Sequence, residues 1–288
     1  MRFISKLWLI SVSCLLGMGT QFLSIPMTAS DLALGMNPLL NRNGLWNPAL
    51  LQPHSIGSEV YFSYGNGLGG LDLTSLSYIQ SKGKMTRGFN LRYSGLNDLE
   101  LRGNKPQTEP IAFYTASGMS IDGAISFQSN ENHFGLSVRW VDMTLYMENS
   151  SGFAMDFGYW RPITKKGKLG LSLLNIGKMN SFLLEEPSLP IRLLSGFSWE
   201  SNFSSFSNTF FTSVEYAFLP KTGLFNFGNE IQWKNILFQA SAIFSQNEKS
   251  ISGGIGWRSG LYGFHYAIQL GSQNIGTPQI FDFYILLP

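Results

Sequence analysis

Three histidines are the residues best suited to chemistry in this chain, because imidazole can act as a general base or bind a metal. His54, His133 and His265 do not have metal-ligand spacing with each other or with a cysteine, and no His-Glu-x-x-His motif is present. The chain also lacks the Gly-x-Ser-x-Gly motif of serine hydrolases. We therefore predict that the protein is not an enzyme and that it binds no metal and no cofactor.

A second set of candidate residues consists of charged side chains on the polar faces of predicted strands. These residues could form a network that holds an internal segment, or they could line a polar path for a solute. Their signs are mixed and their number is small, which favours the network. The candidates are Arg92, Asp156, Arg192, Glu200, Glu215 and Glu230.

The strands that carry these charges are predicted from the alternation of apolar and polar residues along the chain. Successive side chains of a strand point to opposite faces, so alternation gives one apolar face and one polar face. In residues 225–234, Phe225, Phe227, Ile231 and Trp233 share one face, and polar residues and glycine fill the other. Apolar faces of roughly ten residues, rich in aromatics and leucine, suit strands that cross a bilayer. Backbone groups in lipid must all be hydrogen-bonded, so these strands must close into a barrel.

The composition agrees with a barrel in a membrane. Charged residues make up 13% of the chain, against roughly 25% in soluble globular proteins, and aromatic residues make up 14%. The mean hydropathy of +0.03 excludes a bundle of transmembrane helices. A net charge of +2 is too small to suggest nucleic acid as a partner.

We predict an all-β fold, a transmembrane antiparallel β-barrel of about fourteen strands with a short N-terminal plug segment. The predicted strands cover 56–65, 69–80, 85–94, 111–128, 132–146, 150–160, 167–177, 190–201, 205–219, 222–234, 236–246, 249–258, 260–271 and 277–287.

Two connections between predicted strands are long, at 95–110 and 178–189. An even number of strands separates them, so both emerge on one side, and barrels of this type place long loops outside the cell. If the protein docks other proteins, these loops are the expected place. The loop candidates are Asp98, Glu100, Arg102, Glu185 and Glu186.

The N-terminus is typical of a secretory signal peptide. Arg2 and Lys6 precede a short apolar run over residues 7–19, which contains Cys14, the only cysteine. Small residues follow at 28–30 and predict cleavage near residue 29 or 30. The mature protein should therefore contain no cysteine.

These patterns divide the chain into a signal peptide at 1–30, an N-terminal plug or leader at 31–55 and a transmembrane β-barrel at 56–288. Residues 31–55 do not alternate, and their Asn-Pro steps favour turns. A disordered periplasmic leader is the alternative, but its leucines and tryptophan would be poorly placed in water, which favours the plug. The plug candidates are Leu45, Trp46, Asn47, Pro48 and Ala49.

Short motifs over residues 31–200 resemble, in order, those of the PorV/PorQ group of outer-membrane proteins. The first is the Asn47-Pro48-Ala49 motif, and GFAMDFGYW at 152–160 follows, with Asp156 and Gly158. Next come LGLSLLNIG at 169–177, with Asn175 and Gly177, and SLPIRLLSGFSW at 188–199, with Leu189, Pro190 and Gly196.

The resemblance implies a FadL-like fold, a location in the outer membrane of a Gram-negative type envelope and an association with the type IX secretion system. The implied function is an accessory or docking role in protein secretion or surface attachment. The implied partners are outer-membrane lipid and secreted proteins or other components of the secretion system. Two alternatives stay open, a FadL-like channel for hydrophobic small molecules and a purely structural barrel.

Overall fold

Alternating inward and outward side chains run along fourteen antiparallel strands, which form a closed barrel. The structure is a computed structural model that describes residues 19–54, 57–103, 108–181, 186–246, 249–271 and 275–287. The strands are β1 (Ser58–Asn66), β2 (Asp72–Lys82), β3 (Met85–Leu101), β4 (Ala112–Ser129), β5 (Asn132–Leu145), β6 (Glu148–Pro162), β7 (Gly167–Met179), β8 (Arg192–Asn202), β9 (Ser207–Ala217), β10 (Thr222–Trp233), β11 (Ile236–Ser245), β12 (Lys249–Ser259), β13 (Tyr262–Gly271) and β14 (Gln279–Leu287). The predicted fold class is confirmed.

Each strand pairs with its neighbours in sequence, and the first and last strands close the sheet. β1 pairs with β14 in antiparallel register from Ser58 opposite Leu287 to Asn66 opposite Gln279. Closure leaves no free edge, so backbone groups along the seam are paired within the wall.

The outer surface of the wall is apolar. Outward side chains such as Phe62, Leu76, Phe89, Phe157 and Phe225 are exposed, whereas inward positions of the same strands hold small or polar residues. An apolar surface that encircles the protein is unfavourable in water and favourable in lipid. Within the described part of the chain, no helix has the length and hydropathy needed to cross a membrane.

The two ends of the barrel differ. The first residue of β1 and the last of β14 lie at one end, together with short turns such as 83–84 and 234–235. The longer connections, 102–111 and 180–191, lie at the other end. Following the usual arrangement in bacterial barrels, we call these the periplasmic end and the extracellular end.

Strand β3 is longer than the sequence predicts. Alternation stops at residue 94, but pairing with β4 continues to Leu101 opposite Ala112, across an irregularity between Leu96 and Leu99. Asp98 lies in that irregularity with a φ of 57°, which interrupts the alternating pattern. The β3–β4 hairpin therefore extends beyond the start of β2, whose Asp72 pairs with Gly95.

The described residues 19–54 lie inside the barrel and are mostly buried. They contain the helix α1 (Ala29–Leu34) and two short 3₁₀ turns, Thr20–Ser24 and Pro48–Leu50. Because they fill the lumen, we call residues 20–54 the plug. Residues 20–30, which the sequence assigns to the signal peptide, are part of it, whereas the charged and apolar parts of that peptide up to residue 18 lie outside the described residues.

Candidate functional site

The centre of the plug is organised by a buried carboxylate at the start of α1. Oδ1 of Asp31 accepts hydrogen bonds from the side-chain amides of Asn41, at 2.8 Å, and Asn43, at 3.0 Å. Oδ2 accepts from the backbone N–H groups of Thr28, at 3.2 Å, and Met27, at 3.4 Å. Burial raises the pKa of Asp31, and the hydrogen bonds from Asn43 and Thr28 act in the opposite direction.

A second buried carboxylate ties α1 to the seam of the barrel. Asp282 of β14 accepts the backbone N–H of Ala29 at 2.8 Å and the phenol hydroxyl of Tyr61, from β1, at 2.5 Å. The side chain of Asp282 is completely buried. One residue therefore joins the plug to both strands that close the barrel.

The Asn-Pro-Ala motif anchors the plug at the periplasmic end. Oδ1 of Asn47 accepts the backbone N–H of Ala49 at 3.0 Å, which caps the 3₁₀ turn, and its amide donates to the carbonyl of Pro38 at 2.9 Å. The carbonyl of Ala49 accepts from Ser126 and from Nε1 of Trp160, each at 3.0 Å. These contacts attach the motif to β4 and β6.

Two glycines of the wall, Gly135 and Gly158, lie against this motif. The motif occupies the space that a side chain at either position would fill. A Cβ atom added at Gly135 would overlap the backbone of Pro48 and Ala49. A Cβ atom added at Gly158 would overlap Oδ1 of Asn47. The close approach of plug and wall here requires glycine in both strands.

Four buried charges form a network on the inner wall of β3 to β6. Arg139 lies between two carboxylates, contacting Asp122 and donating from Nη2 to Asp156 at 2.7 Å. Nε of Arg92 lies 3.1 Å from Oδ2 of Asp122. The other oxygen of Asp156 accepts the backbone N–H of Asn175, at 2.7 Å, in the gap where β6 and β7 shift register.

A separate ion pair holds the opposite side of the plug. Arg192, at the start of β8, makes a two-pronged contact with Glu215 of β9. The guanidinium carbon of Arg192 lies 4.9 Å from the ring centroid of Trp46, and its Nη1 donates to the carbonyl of Ser24 at 3.4 Å. A cation over an indole ring is a stabilising contact, and it is stronger where water is excluded.

The lumen candidates thus fall into two groups. Arg92, Asp156, Arg192 and Glu215 contact the network or the plug, whereas Glu200 and Glu230 lie near the periplasmic rim, where Glu230 accepts from Gln239 at 2.6 Å. Glu200 lies 3.9 Å from Lys168, and both side chains are partly exposed. The plug candidates Leu45, Trp46, Asn47, Pro48 and Ala49 are all buried.

A cavity of about 280 Å³ opens at the periplasmic end, between the plug and the wall. Its lining carries charges of both signs, from Arg42, Glu59, Glu230, Lys234 and Arg258 among others. A mixed-charge lining does not select an anion or a cation, and we assign no ligand to this cavity.

The extracellular half of the lumen contains clusters of buried apolar side chains beside the Arg192–Glu215 ion pair. Buried apolar side chains point inward from the wall at positions where a water-filled lumen would carry polar residues. Phe22 and Leu23 of the plug pack in one cluster with part of these wall residues, and Leu45 and Trp46 pack in a second cluster with the rest. The wall residues are Leu71, Leu73, Val141, Met143, Leu174, Met179, Leu189, Leu194 and Ile280.

The histidines have structural neighbours. The ring of His54 lies 2.9 Å from Oε1 of Glu59 and stacks on Tyr284, and the ring of His133 stacks on Trp160. His265 lies inside the wall, with Nδ1 at 3.8 Å from Asp282. Among the described residues, no cluster of three or more histidine, cysteine or acidic side chains could hold a metal ion.

The loop candidates lie at the extracellular end, as far as the structure describes them. Asp98 is in the irregularity of β3, and Glu100 forms an exposed ion pair with Arg102 at 2.6 Å. Glu186 lies 3.1 Å from Lys178. Glu185 is outside the described residues.

Sequence reasoning missed several buried residues that hold the wall or the plug. Asp122, Arg139 and Asp282 lie on inward faces of strands that alternation predicts, so the position of these charges among apolar neighbours was the available signal. Asp31 and Asn43 lie in a segment without periodicity. Their role depends on the fold of the plug, for which the sequence offers no pattern.

The fold and the filled lumen define a class of protein, the plugged outer-membrane β-barrel of fourteen strands. No protein-family model and no curated protein matches the chain. Solved structures do match. The monoaromatic hydrocarbon channel CymD is 12% identical, with 91% of this chain and 97% of that chain covered and a TM-score of 0.68.

Two further solved structures share the fold. The Pseudomonas putida toluene transporter TodX is 13% identical, over 90% of this chain and 96% of that chain, with a TM-score of 0.65. A FadL homologue from Pseudomonas aeruginosa is 9% identical, over 90% and 98%, with a TM-score of 0.56. Identities this low show the fold alone.

These similarities confirm the FadL-like part of the sequence resemblance and do not show the PorV/PorQ group, which stays a prediction. The fold is that of Gram-negative outer-membrane barrels, and together with the apolar exterior it agrees with the predicted location in the outer membrane. Two of these similar structures are named as a channel and as a transporter.

Proposed function

We propose that the protein is an outer-membrane channel for hydrophobic small molecules, the alternative that the sequence left open. The observation that carries this proposal is the apolar cluster around Phe22 and Leu23 in the extracellular half of the lumen. Wall residues such as Val141, Met143 and Met179 are buried there on inward faces. A chamber with this lining would favour an apolar ligand over water, by about 25 cal/mol for each Å² of apolar surface that is buried.

The position of the plug sets a condition on entry. Phe22 and Leu23 occupy the apolar chamber, so a ligand can fill it only when the N-terminal part of the plug moves. Below this cluster, the carbonyl of Ala49 is bound by Ser126 and Trp160 and the N–H of Ala29 by Asp282, which holds the rest of the plug to the wall. This division supports a mobile upper plug above a fixed lower plug.

The similar solved structures point in the same direction. They include a protein named as a monoaromatic hydrocarbon channel and others named as toluene transporters. Their low identity transfers no ligand to this chain. They make toluene a reasonable first probe.

The proposal can be tested by photolabelling the purified protein in lipid vesicles with a small apolar aryl diazirine, followed by peptide mass spectrometry. We expect labelling at lumen residues Val141 and Met143 of β5 that excess toluene suppresses. Val138 of the same strand faces lipid and serves as the matched control, because its labelling should not saturate. Lumen labelling that is absent, or that toluene leaves unchanged, would contradict the channel.

A second candidate function is the docking of exported proteins, which the sequence resemblance implies. Its support is the β3–β4 hairpin, which rises past β2 by about six residues, or about 15 Å at the usual rise and tilt of barrel strands. Ile111 and Phe113, near its tip, are 61% and 59% exposed, and Met147 of the neighbouring turn is 76% exposed. Exposed apolar residues in this position suit contact with another protein.

Docking can be tested by mild-detergent purification of the tagged protein from native outer membranes, with mass spectrometry of bound proteins. We expect secreted proteins or type IX components to be retained by the native chain and lost from the double variant Ile111→Ser, Phe113→Ser. The exposed substitution Lys84→Gln, in the turn between β2 and β3 at the other end of the barrel, is the control. Purification of the barrel without bound proteins would contradict the docking function, and the channel would remain the proposed function.

A further inference from the structure

We propose that signal peptidase cleaves this chain between Gly19 and Thr20, and that Thr20 is the first residue of the mature protein, seated inside the barrel. Two possible places for the cut flank residues 20–30, because this peptidase selects small residues one and three positions before the bond it cleaves. Cleavage after Gly19 places Gly17 and Gly19 there, and cleavage after Ser30 places Thr28 and Ser30 there. The contacts of residues 20–30 separate these two possibilities.

The first turn of the plug is built into the extracellular half of the wall. The hydroxyl of Thr20 donates to the carbonyl of Ser188 at 2.5 Å, and only 3% of Thr20 is exposed. Phe22 and Leu23 pack against Val141, Met179 and other apolar wall residues. Cleavage near residue 30 would remove these side chains and leave an apolar void, which is costly in a packed interior.

The wall has a glycine that matches Phe22. A Cβ atom added at Gly118 of β4 would overlap the aromatic ring of Phe22. By contrast, a Cβ atom added at Gly19 would meet no neighbouring atom. Phe22, the third residue of the proposed mature chain, therefore fits closely against the wall.

The polar contacts of the next residues also need an intact chain. Met27 accepts a hydrogen bond from Ser75 at its carbonyl, at 3.2 Å, and its N–H binds Asp31. Thr28 is the N-cap of α1 and forms a capping box with Asp31. Cleavage after Ser30 would delete the N-cap, which contributes about 1 kcal/mol, and two of the donors to Asp31.

This inference rests on the packing of the plug and does not depend on the proposed function. Its test is the intact mass of the protein purified from native outer membranes, with sequencing of its N-terminal peptide. We expect the chain to begin at Thr20. A chain that begins at residue 29, 30 or 31, or that keeps residues 1–19, would overturn the proposal.

Two matched variants locate the cleavage site. The measurement does not require a folded barrel, because processing is detected from the mass of the chain. Gly19→Leu puts a bulky residue directly before the proposed site and should at least halve the fraction of processed chain. Ser30→Leu does the same at the other site and should leave the N-terminus at Thr20 with unchanged yield. The reverse pattern would place the cut after Ser30.

Discussion

Individual buried carboxylates stabilise the plug. Among the residues of α1, Asp31 accepts the largest number of side-chain hydrogen bonds. Its two oxygens accept from Asn41, Asn43, Thr28 and Met27. An ionised carboxylate offers only acceptors, which fits a site formed entirely by donors. The residue therefore fixes the relative positions of α1 and the loop that follows it.

We predict that Asp31→Asn lowers the free energy of unfolding by about 1–3 kcal/mol, because the new amide donor faces donors and leaves at least one of them unpaired. The measurement is urea unfolding in lipid vesicles, followed by tryptophan fluorescence. Asp98→Asn, at an exposed position of β3, is the matched control and should change little. Equal stability of Asp31→Asn and wild type would show that the carboxylate does not hold the plug.

Arg139 carries a second residue-scale prediction, because it is the link between Asp122 and Asp156. Arg139→Met should lower the free energy of unfolding by about 3–5 kcal/mol in the same experiment, since it leaves two buried carboxylates without their cationic partner. Adding Asp156→Asn should recover part of that loss. The exposed ion-pair variant Arg102→Met is the control, with an expected cost below about 1 kcal/mol.

If Arg139→Met proves as mild as Arg102→Met, the buried network contributes little to stability. If adding Asp156→Asn to Arg139→Met lowers the free energy of unfolding further, the contact of Asp156 with Asn175 contributes more to stability than its contact with Arg139.

At the scale of elements, the periplasmic anchor depends on how closely the Pro48–Leu50 turn approaches strands β5 and β6. Gly135 and Gly158 face that turn from adjacent strands, where they pair with each other. The turn and the two glycines form one unit, because a side chain at either glycine would occupy the place of the Asn-Pro-Ala backbone.

We predict that Gly158→Ala destabilises the protein by about 1–3 kcal/mol and exposes the plug, because its Cβ atom would overlap Asn47. Limited proteolysis should then cut within residues 31–54 at protease concentrations that leave the wild type intact. Gly123→Ala in β4 is the matched control, since a Cβ atom there meets no neighbour. An intact plug in Gly158→Ala would mean that the turn is not held by close packing.

Alternation predicted most strands to within a few residues, because lipid outside and a filled lumen inside impose opposite polarities on successive side chains. It failed at the end of β3, where Asn97 and Asp98 interrupt the pattern while pairing with β4 goes on. It was also silent on the plug, whose residues, such as Asn43 and Asp31, contact each other across irregular backbone. These contacts within the plug depend on the tertiary fold and produce no periodic pattern in the sequence.

At the scale of the whole molecule, the two ends of the barrel differ in the length of their connections, and barrels of this type place the long loops outside the cell. The only cysteine is Cys14, within the predicted signal peptide, so a mature chain without it would give no background in thiol labelling. Single cysteines can therefore report which end of the barrel faces the medium.

We predict that Glu186→Cys is labelled on intact cells by a membrane-impermeant maleimide, because it lies on the extracellular connection between β7 and β8. Asn235→Cys, in the short turn between β10 and β11, is the matched control and should react only after the outer membrane is opened. Labelling of Asn235→Cys on intact cells, with none at Glu186→Cys, would invert the orientation.

The contact between Asp282 and Ala29 also bears on the order in which the molecule is assembled. Asp282 lies in β14, the last strand of the chain, and Ala29 lies near the start of the plug. A cylinder already sealed between β1 and β14 would have to admit a folded segment with a tryptophan at its centre through one open end. We therefore expect the N-terminal segment to pack against the unfinished wall before β14 is added, so that β14 closes the barrel and binds the plug in the same step.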